Sequence, residues 1–574
     1  MDWKKTYQTW LNHSSLDASL KQDLEKNKEQ DSALEDAFYT SLEFGTAGMR
    51  GVIGAGTNRM NIYTVRQATE GLALFIEKQG NKMKERGVVI AYDSRHMSKE
   101  FSIEAARTLA AHGIKAYVFE ELRPTPELSF AVRHLKAAAG IVITASHNPP
   151  EYNGYKVYGE DGGQLPPKEA DELTTYVRSV TDILSIDALD REQAEKEGLL
   201  KIIGKDVDRY YLEAIRTVTI DQDLIDRQGR ELKIVFTPLH GTGQMLGEKA
   251  LKQAGFRNVY FVEEQSKPDP EFSTVKSPNP EDPKAFTLAI EKGIEVDADV
   301  LIATDPDADR LGLAVKTAKG HYEVLSGNQI AALMVEYIFK AHSLKESLPQ
   351  NSVMIKSIVS SDLPAVIADK YAVETINVLT GFKFIAEKIK QFETDHSKTF
   401  MYGFEESYGY LIQPFARDKD AIQALVMVAE MTAYYKEQGY SLFDAIHELY
   451  HEHGHYEEKT ISVKMDGIEG TEKINEIMKN LRSQSPSRFG GIKVIKFEDF
   501  KAQKCVTKSS KETIDLPKAN VLKYTLADSS WIAVRPSGTE PKIKFYISAC
   551  DESGVAVREK LEAFEADIRS MINL

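Results

Sequence analysis

The sequence predicts an α/β protein: three related mixed-sheet α/β domains followed by a smaller C-terminal α+β domain. Three observations lead there. The chain has 574 residues, enough for about four domains. Short apolar runs alternate with helix-forming stretches, the pattern of strand–helix–strand units. An opening strand, turn and helix recur near residues 88, 232 and 352, and after about residue 455 the texture changes to alternating strands among helices. The implied boundaries are 1–205, with an N-terminal helical extension, then 206–318, 319–455 and 456–574.

Composition narrows the class. Hydrophobic residues make up 42% and charged residues 28%, ordinary for a globular chain in water. No apolar run approaches the roughly 18 residues that span a bilayer, and Met1-Asp2-Trp3-Lys4-Lys5 lacks a signal-peptide core, so no membrane role and a cytoplasmic location are expected. The two cysteines, Cys505 and Cys550, fit a reducing compartment. A net charge of -15 argues against general nucleic-acid binding. It also requires a local basic pocket for any anionic substrate.

The elements follow in order. Residues 1 to about 40 are polar and helix-forming, and 44–51 read as a loop with three glycines that admits an anion, with Arg50 adding charge. Residues 88–92, 114–119 and 141–143 read as strands, with helices over about 99–112 and 167–180 and a linker near 185–205. The 141–143 strand ends in Thr144-Ala145-Ser146-His147-Asn148-Pro149-Pro150, and Asn153-Gly154 signals a further turn, with Lys156 close behind. Ser146 is thus a hydroxyl on a constrained loop past a strand end, with a cation nearby.

The second unit opens with a helix near 206–217 and a strand at 232–236. Its loop holds Gly241-Thr242-Gly243 but lacks the full dinucleotide-binding glycine spacing, which excludes that reading. Strands at 259–262 and 298–303 follow. In the third, a helix at 327–341, a strand at 352–355, and helices near 419–437 and 441–451 are expected; the last unit contains strands at 531–534 and 542–546.

Asp305-Pro306-Asp307-Ala308-Asp309-Arg310 is the strongest metal signal. In an extended segment, side chains two apart share a face, so three carboxylates converge, which is costly unless a cation or solvent compensates; a solvated acidic turn is the alternative, disfavoured by the apolar strand directly before. Hard oxygen ligands select Mg²⁺. A calcium loop is excluded, because Arg310 occupies the place of its glycine. Arg535-Pro536-Ser537-Gly538-Thr539 offers a guanidinium, hydroxyls and close backbone approach to a phosphate, though the same residues also build a plain turn. Glu405-Glu406-Ser407 lies between glycines, where carboxylate and hydroxyl groups suit vicinal sugar hydroxyls, as they also suit an exposed acidic loop. His451, His453 and His455 lie in a charged stretch and read as surface. Taken together, the four stretches describe phosphoryl transfer through a phosphoserine.

In family order and at family-like spacing, these motifs make the chain resemble the α-D-phosphohexomutase superfamily, its phosphoglucomutase members above all, from about residue 40 to the end. The resemblance implies four domains around a central cleft. It makes Ser146 the phosphorylated residue, with Asp305, Asp307 and Asp309 holding Mg²⁺ beside a phosphoserine oxygen. Arg50, His147, Lys156 and Arg310 would line the transfer site, and Lys419 would supply a basic residue. Glu405 and Ser407 would bind sugar hydroxyls with help from Thr380, Gly381 and Lys383. Arg535, Ser537, Gly538 and Thr539 would hold the phosphate not in transit. Where some members place a histidine after the sugar-binding motif, this chain has Tyr408 and Gly409. The implied activity interconverts glucose 1-phosphate and glucose 6-phosphate through glucose 1,6-bisphosphate, in a monomer or weak oligomer whose partners are small sugar phosphates. Mannose or pentose phosphates as substrates, and an inactive sugar-phosphate-binding homologue, are the alternatives.

Overall fold

The computed structural model describes residues 2–45, 48–465, 467–537 and 542–572. The chain divides into two units, Met1–Gly327 with Phe382–Gly403 and Ser407–Ser441, and Asn328–Gly381 with Phe404–Glu406 and Leu442–Leu574.

The first unit begins with helices Trp3–Leu11, Ala18–Lys26 and Asp31–Phe38. Asp2 and Asp17 cap the first two by accepting backbone N–H bonds. Their apolar faces, Tyr7, Trp10, Leu24, Leu34 and Phe38, bury against Tyr63, Ile183 and Ile186.

A six-stranded mixed sheet follows, made of β1 (Met49–Val52), β2 (Val88–Tyr92), β3 (Ala116–Phe119), β4 (Ala139–Ile143), β5 (Tyr152–Tyr158) and β6 (Leu200–Ile203), in the order β1-β5-β4-β2-β3-β6. The centre, β4-β2-β3, is parallel and β5 returns antiparallel to β4. Strands β2 and β4 are buried along their whole length, which explains their unbroken apolar sequences.

A second sheet repeats the plan. It contains β7 (Lys233–Thr237), β8 (Asn258–Phe261), β9 (Val300–Thr304), β10 (Leu311–Lys316) and β11 (Tyr322–Val324), ordered β11-β10-β9-β7-β8. Here β9-β7-β8 is parallel and β10 returns antiparallel to β9. The Ser146 loop joins β4 to β5, and the Asp305–Asp309 segment joins β9 to β10. The two chemistry-bearing loops therefore occupy equivalent places, at the carboxyl end of a buried strand before an antiparallel return.

Three local expectations are corrected. The linker at 185–205 contains a helix, Arg191–Lys196, and strand β6, which pairs with β3. Only Leu200 of β6 is buried, so this edge strand gives almost no apolar signal. Asn153-Gly154 is no turn but part of β5, and Arg50 lies on β1 rather than in a loop, with Gly154 opposite it. A Cβ at Gly154 would stand 2.6 Å from the Thr144 carbonyl oxygen, so glycine here permits close strand approach.

In the second unit β12 (Ser352–Ser357) runs parallel to β13 (Glu374–Val378). Strand β14 (Thr399–Glu405) runs from first-unit residues into second-unit residues at Phe404, and β15 (Gly409–Leu411), after the turn at Glu406 to Tyr408, belongs to the first unit. The C-terminal region is an antiparallel sheet of β16 (His455–Lys464), β17 (Arg488–Phe489), β18 (Ile492–Asp499), β19 (Lys504–Thr507), β20 (Lys511–Thr513), β21 (Leu522–Leu526), β22 (Trp531–Pro536) and β23 (Lys542–Asp551). Helices Gly467–Ser483 and Gly554–Met571 pack on one apolar core with it, as the α+β expectation requires.

Within this unit the Glu458 carboxylate accepts from Asn328 Nδ2 at 3.1 Å and Ser548 Oγ at 3.2 Å. Burial pushes its pKa up to about 7. Between its ordinary value of 4.5 and about 7, the folded state therefore holds a proton that the unfolded chain releases. Glu458 stabilises the fold fully below that window, and the contribution is lost as pH rises through it. Glu458→Gln is expected to flatten the fall in urea midpoint across the window relative to the wild type; parallel pH profiles for the two proteins would contradict this.

Candidate active site

Ser146 sits two residues beyond Thr144, past the end of β4. Its backbone is left-handed, with φ 50°, which costs a residue bearing a Cβ about 1–2 kcal/mol. Neighbours hold it there: its N–H donates to Thr144 Oγ1 at 2.8 Å, and its carbonyl accepts from Arg95 Nη2 at 2.5 Å. The Ser146 hydroxyl donates to Asp305 Oδ2 at 2.7 Å and lies 3.3 Å from His147 Nδ1. Arg50 reaches the same loop, donating to Asn148 Oδ1 at 2.9 Å.

The acid segment was expected to be extended. It is a turn, with Ala308 left-handed at φ 49° and its N–H bonded to the Asp305 carbonyl at 2.9 Å. The turn, rather than strand pleat, brings one oxygen from each of Asp305, Asp307 and Asp309 within 4.8 Å of the others. Each carboxylate has its own partners. Asp305 Oδ1 accepts the N–H groups of Asp309 and Arg310 at 3.1 and 3.0 Å. Asp307 Oδ2 accepts from Lys156 Nζ and Thr125 Oγ1, each at 3.0 Å. Asp309 Oδ2 is 3.2 Å from Lys419 Nζ, and Asp309 Oδ1 is 3.7 Å from Arg310 Nε.

All three aspartates are buried. Burial, then the charges of Asp307 and Asp309, hold the Asp305 carboxyl well above the usual carboxylate range. Burial is the largest influence on Asp307 and works to raise it, but the Lys156 ammonium, the hydrogen bonds from Asp305 and Lys156 and the Lys419 charge together keep that carboxyl low. Burial and the cations of Arg310, Arg50 and Lys156 push His147 down to about 3, so the imidazole is neutral. Two oxygens, Asp307 Oδ1 and Asp309 Oδ1, are buried with no hydrogen-bond partner. Such groups are costly unless something else satisfies them. An all-oxygen cluster with two unspent buried oxygens fits a hard divalent cation.

Lys419 bridges two acids, with Asp418 Oδ1 at 2.9 Å on its other side, and its ammonium lies 5.5 Å from the centre of the Phe382 ring. Asp418 Oδ2 in turn accepts from Tyr158 Oη at 2.7 Å. A Cβ at Gly409 would stand 2.1 Å from Lys419 Cδ. A side chain at this position would displace Lys419. Arg310 Nη1 donates to Glu281 Oε1 at 2.5 Å, and Lys383 lies over its neighbour Phe384 at 5.5 Å. Ser407 also belongs to the first unit, in the turn after β14. The structure thus gathers Ser146, His147, Arg50, Lys156, Arg310, Lys419 and the acid triplet in the first unit.

The second unit holds a separate group. Gly381 N–H donates to Glu405 Oε1 at 2.6 Å, and the Thr380 hydroxyl is buried without a partner. Glu406 Oε2 accepts from the Ser357 and Ser360 hydroxyls at 2.9 and 3.1 Å. Arg535, at the end of β22, hydrogen-bonds the Tyr546 hydroxyl, whose pKa burial and the Glu406 charge push up to about 12. Ser537 N–H donates to the Lys542 carbonyl at 2.7 Å. Gly538 and Thr539 lie outside the described residues.

Comparison with known proteins bears directly on this arrangement. Descriptions of the phosphoglucomutase/phosphomannomutase family match in four consecutive blocks: alpha/beta/alpha domain I over 41–183, domain II over 209–320, domain III over 326–453 and the C-terminal domain over 461–564. The chain belongs to the phosphoglucomutase/phosphomannomutase family. Family relatives at whole-chain similarity include a phosphoglucomutase of Staphylococcus aureus, 42% identical over 93% of this chain and 95% of its own. Another, from Staphylococcus epidermidis, is 41% identical over 95% and 97%. The fold also matches that of pp63/parafusin, a phosphoglucomutase from Paramecium, in an open form, at TM-score 0.67 and 16% identity, over 93% of this chain and 96% of that one. A family protein from Burkholderia thailandensis matches at TM-score 0.66 and 19% identity, over 92% and 97%.

Sequence reading missed two residues that this family member places against the site. Neither Arg95 nor Thr125 falls in a motif that marks it; Thr125 donates its N–H to the Asp307 carbonyl at 2.9 Å besides its hydroxyl bond. Their partners are distant in sequence, and only Pro124, an extended residue before a helix, marks the spot. Asp309→Asn is expected to weaken Mn²⁺ binding by more than about tenfold, read by electron paramagnetic resonance titration. Unchanged affinity would remove Asp309 from the ligand set.

Proposed function

We propose that this chain is a phosphoglucomutase interconverting glucose 1-phosphate and glucose 6-phosphate through a phosphorylated Ser146. The observation that carries the reading is the hydrogen bond of 2.7 Å from the Ser146 hydroxyl to the buried acid triplet. Relatives named phosphoglucomutase at 41–42% identity over nearly the whole chain support it.

In this reading Asp305, Asp307 and Asp309 would hold Mg²⁺ beside phosphorylated Ser146. When bound, the ion supplies Lewis-acid stabilisation of charge on the transferring group. The chain's own residues do the rest. The left-handed Ser146 backbone and its loop fix Oγ beside the acid triplet, and with it the phosphoryl group that the sugar hydroxyl attacks, which saves the entropy of finding that geometry. Arg50, Lys156, Arg310 and Lys419 offset charge on the equatorial oxygens. His147, neutral, offers a hydrogen bond rather than a charge. Glu405 and Ser407 accept and donate to the sugar hydroxyls, with Thr380, Gly381 and Lys383 setting its orientation. Arg535, Ser537, Gly538 and Thr539 grip the phosphate at the far end. Phosphorylated Ser146 gives its phosphoryl group to the free hydroxyl of glucose 1-phosphate, forming glucose 1,6-bisphosphate. After the sugar turns over, the other phosphate returns to Ser146.

Both thiols are free, and among the described residues no helix is long and apolar enough to cross a membrane; we assign the protein to the cytoplasm, as a monomer or weak oligomer. The family description also names mannose-specific members, so glucose, mannose and ribose 1-phosphates are to be compared with bisphosphate activator present. Glucose 1-phosphate is expected to give the highest kcat/KM, and preference for another sugar would overturn the glucose assignment. Ser146→Ala should lose at least about 10⁴-fold in kcat, since a nucleophile has no substitute, while keeping the wild-type circular dichroism. Retention of turnover would exclude the phosphoserine route. Excess chelator should abolish activity and Mg²⁺ restore it.

A further inference from the structure

Nothing in the proposed reaction uses Arg95, yet this side chain is fully buried beside Ser146. Its guanidinium spends four N–H bonds on one short stretch of main chain. Nη2 donates to the carbonyls of Ser146 and Asn148, each at 2.5 Å, and Nη1 to those of Pro149 and Tyr152 at 2.8 and 3.1 Å. The remaining nitrogen, Nε, faces Asp93 Oδ2 at 3.4 Å. Asp93 is itself fixed, since Oδ1 accepts from Arg95 N–H at 3.0 Å and Ser98 Oγ at 2.7 Å. The Phe272 ring closes the other side, with its centre 4.9 Å from the guanidinium carbon.

Surface loops satisfy their carbonyls with water and do not draw a buried charge. This loop instead has a planar fork of fixed geometry at its centre, the one cationic side chain that can serve several carbonyls at once. It holds the carbonyl of the very residue whose backbone is left-handed. Lysine could carry the charge but not four convergent N–H groups.

We propose that Arg95 is a positioning residue for phosphoryl transfer: by gathering four loop carbonyls it pins Ser146 in its left-handed conformation and so aims Oγ at the acid triplet. It acts through the main chain of the Ser146 loop.

The inference rests on the phosphoserine reading, and the experiment separates the two. Wild type, Arg95→Lys and Ser146→Ala, all as full chains with Mg²⁺, are stripped of phosphate and mixed with glucose 1,6-bisphosphate, and the gain of about 80 Da on the Ser146 peptide is followed by rapid quench and mass spectrometry. Wild type is expected to gain the group within one turnover, and Ser146→Ala never. Arg95→Lys should be phosphorylated about 100-fold more slowly, as expected when a reacting atom is misplaced by about 1 Å. Its kcat should fall in parallel while KM stays within about threefold. Asp93→Asn, which leaves the fork in place without its anchoring charge, should slow phosphorylation about three- to tenfold. Failure of the wild type to take the group would sink the phosphoserine reading. Phosphorylation of Arg95→Lys at the wild-type rate would sink the positioning role alone. So would loss of its cooperative melting, which would make Arg95 a folding residue, or a raised KM at unchanged kcat.

Discussion

Three buried aspartate side chains, one of which accepts from a serine hydroxyl, repel one another, and much of the first unit is arranged to make that repulsion tolerable. At an effective dielectric near 20, two unit charges 4 Å apart interact by about 4 kcal/mol. Several such pairs cannot persist without cations, and these come from separate elements: Lys156 on β5 pairs with Asp307, while Lys419, before the helix Ala421–Glu437, and Arg310, just before β10, both face Asp309. The nest of two N–H groups at Asp305 does the same work without a charge. Counted this way, the site remains short of positive charge where it matters, because one oxygen each of Asp307 and Asp309 has no donor. A hard divalent cation is the species that would satisfy those oxygens.

The architecture follows from where this charge cluster has to sit. Two sheets built on one plan end their central strands, β4 and β9, in loops that return through antiparallel partners. One loop brings a hydroxyl and the other brings acids. The antiparallel return strand matters, since β5 carries Lys156 back toward Asp307 and Tyr158 toward Asp418. Glycine at 154 lets β1 and the Ser146 loop close on β5, and glycine at 409 makes room for Lys419.

Much of this was legible in the sequence because burial on both faces writes unbroken apolar runs, as in 88–92 and 300–304. The edge strand β6 was not, since one buried leucine leaves no pattern. The acid segment shows how a correct grouping can come from the wrong geometry. Alternation of Asp at 305, 307 and 309 fits a strand face, but a proline without an N–H and a left-handed Ala308 make a turn that brings the same three together. Which cation meets which acid could not be read, because Lys156, Lys419 and Arg310 come from distant segments. Arg95 was hidden for a related reason: its partners are carbonyls, and a main-chain acceptor leaves no trace in the identity of the residue that bears it.

The central claim is that the serine hydroxyl and the acid cluster form one chemical device, with the phosphoryl group passing through the serine at every turnover. The most direct test is a single-turnover chase. Enzyme carrying a ³²P-labelled Ser146 is mixed with excess glucose 1-phosphate and Mg²⁺, and the label is counted on protein and sugar over milliseconds. The account predicts that label leaves the protein for the sugar at a rate no slower than kcat. Label still on the protein after many turnovers would contradict it.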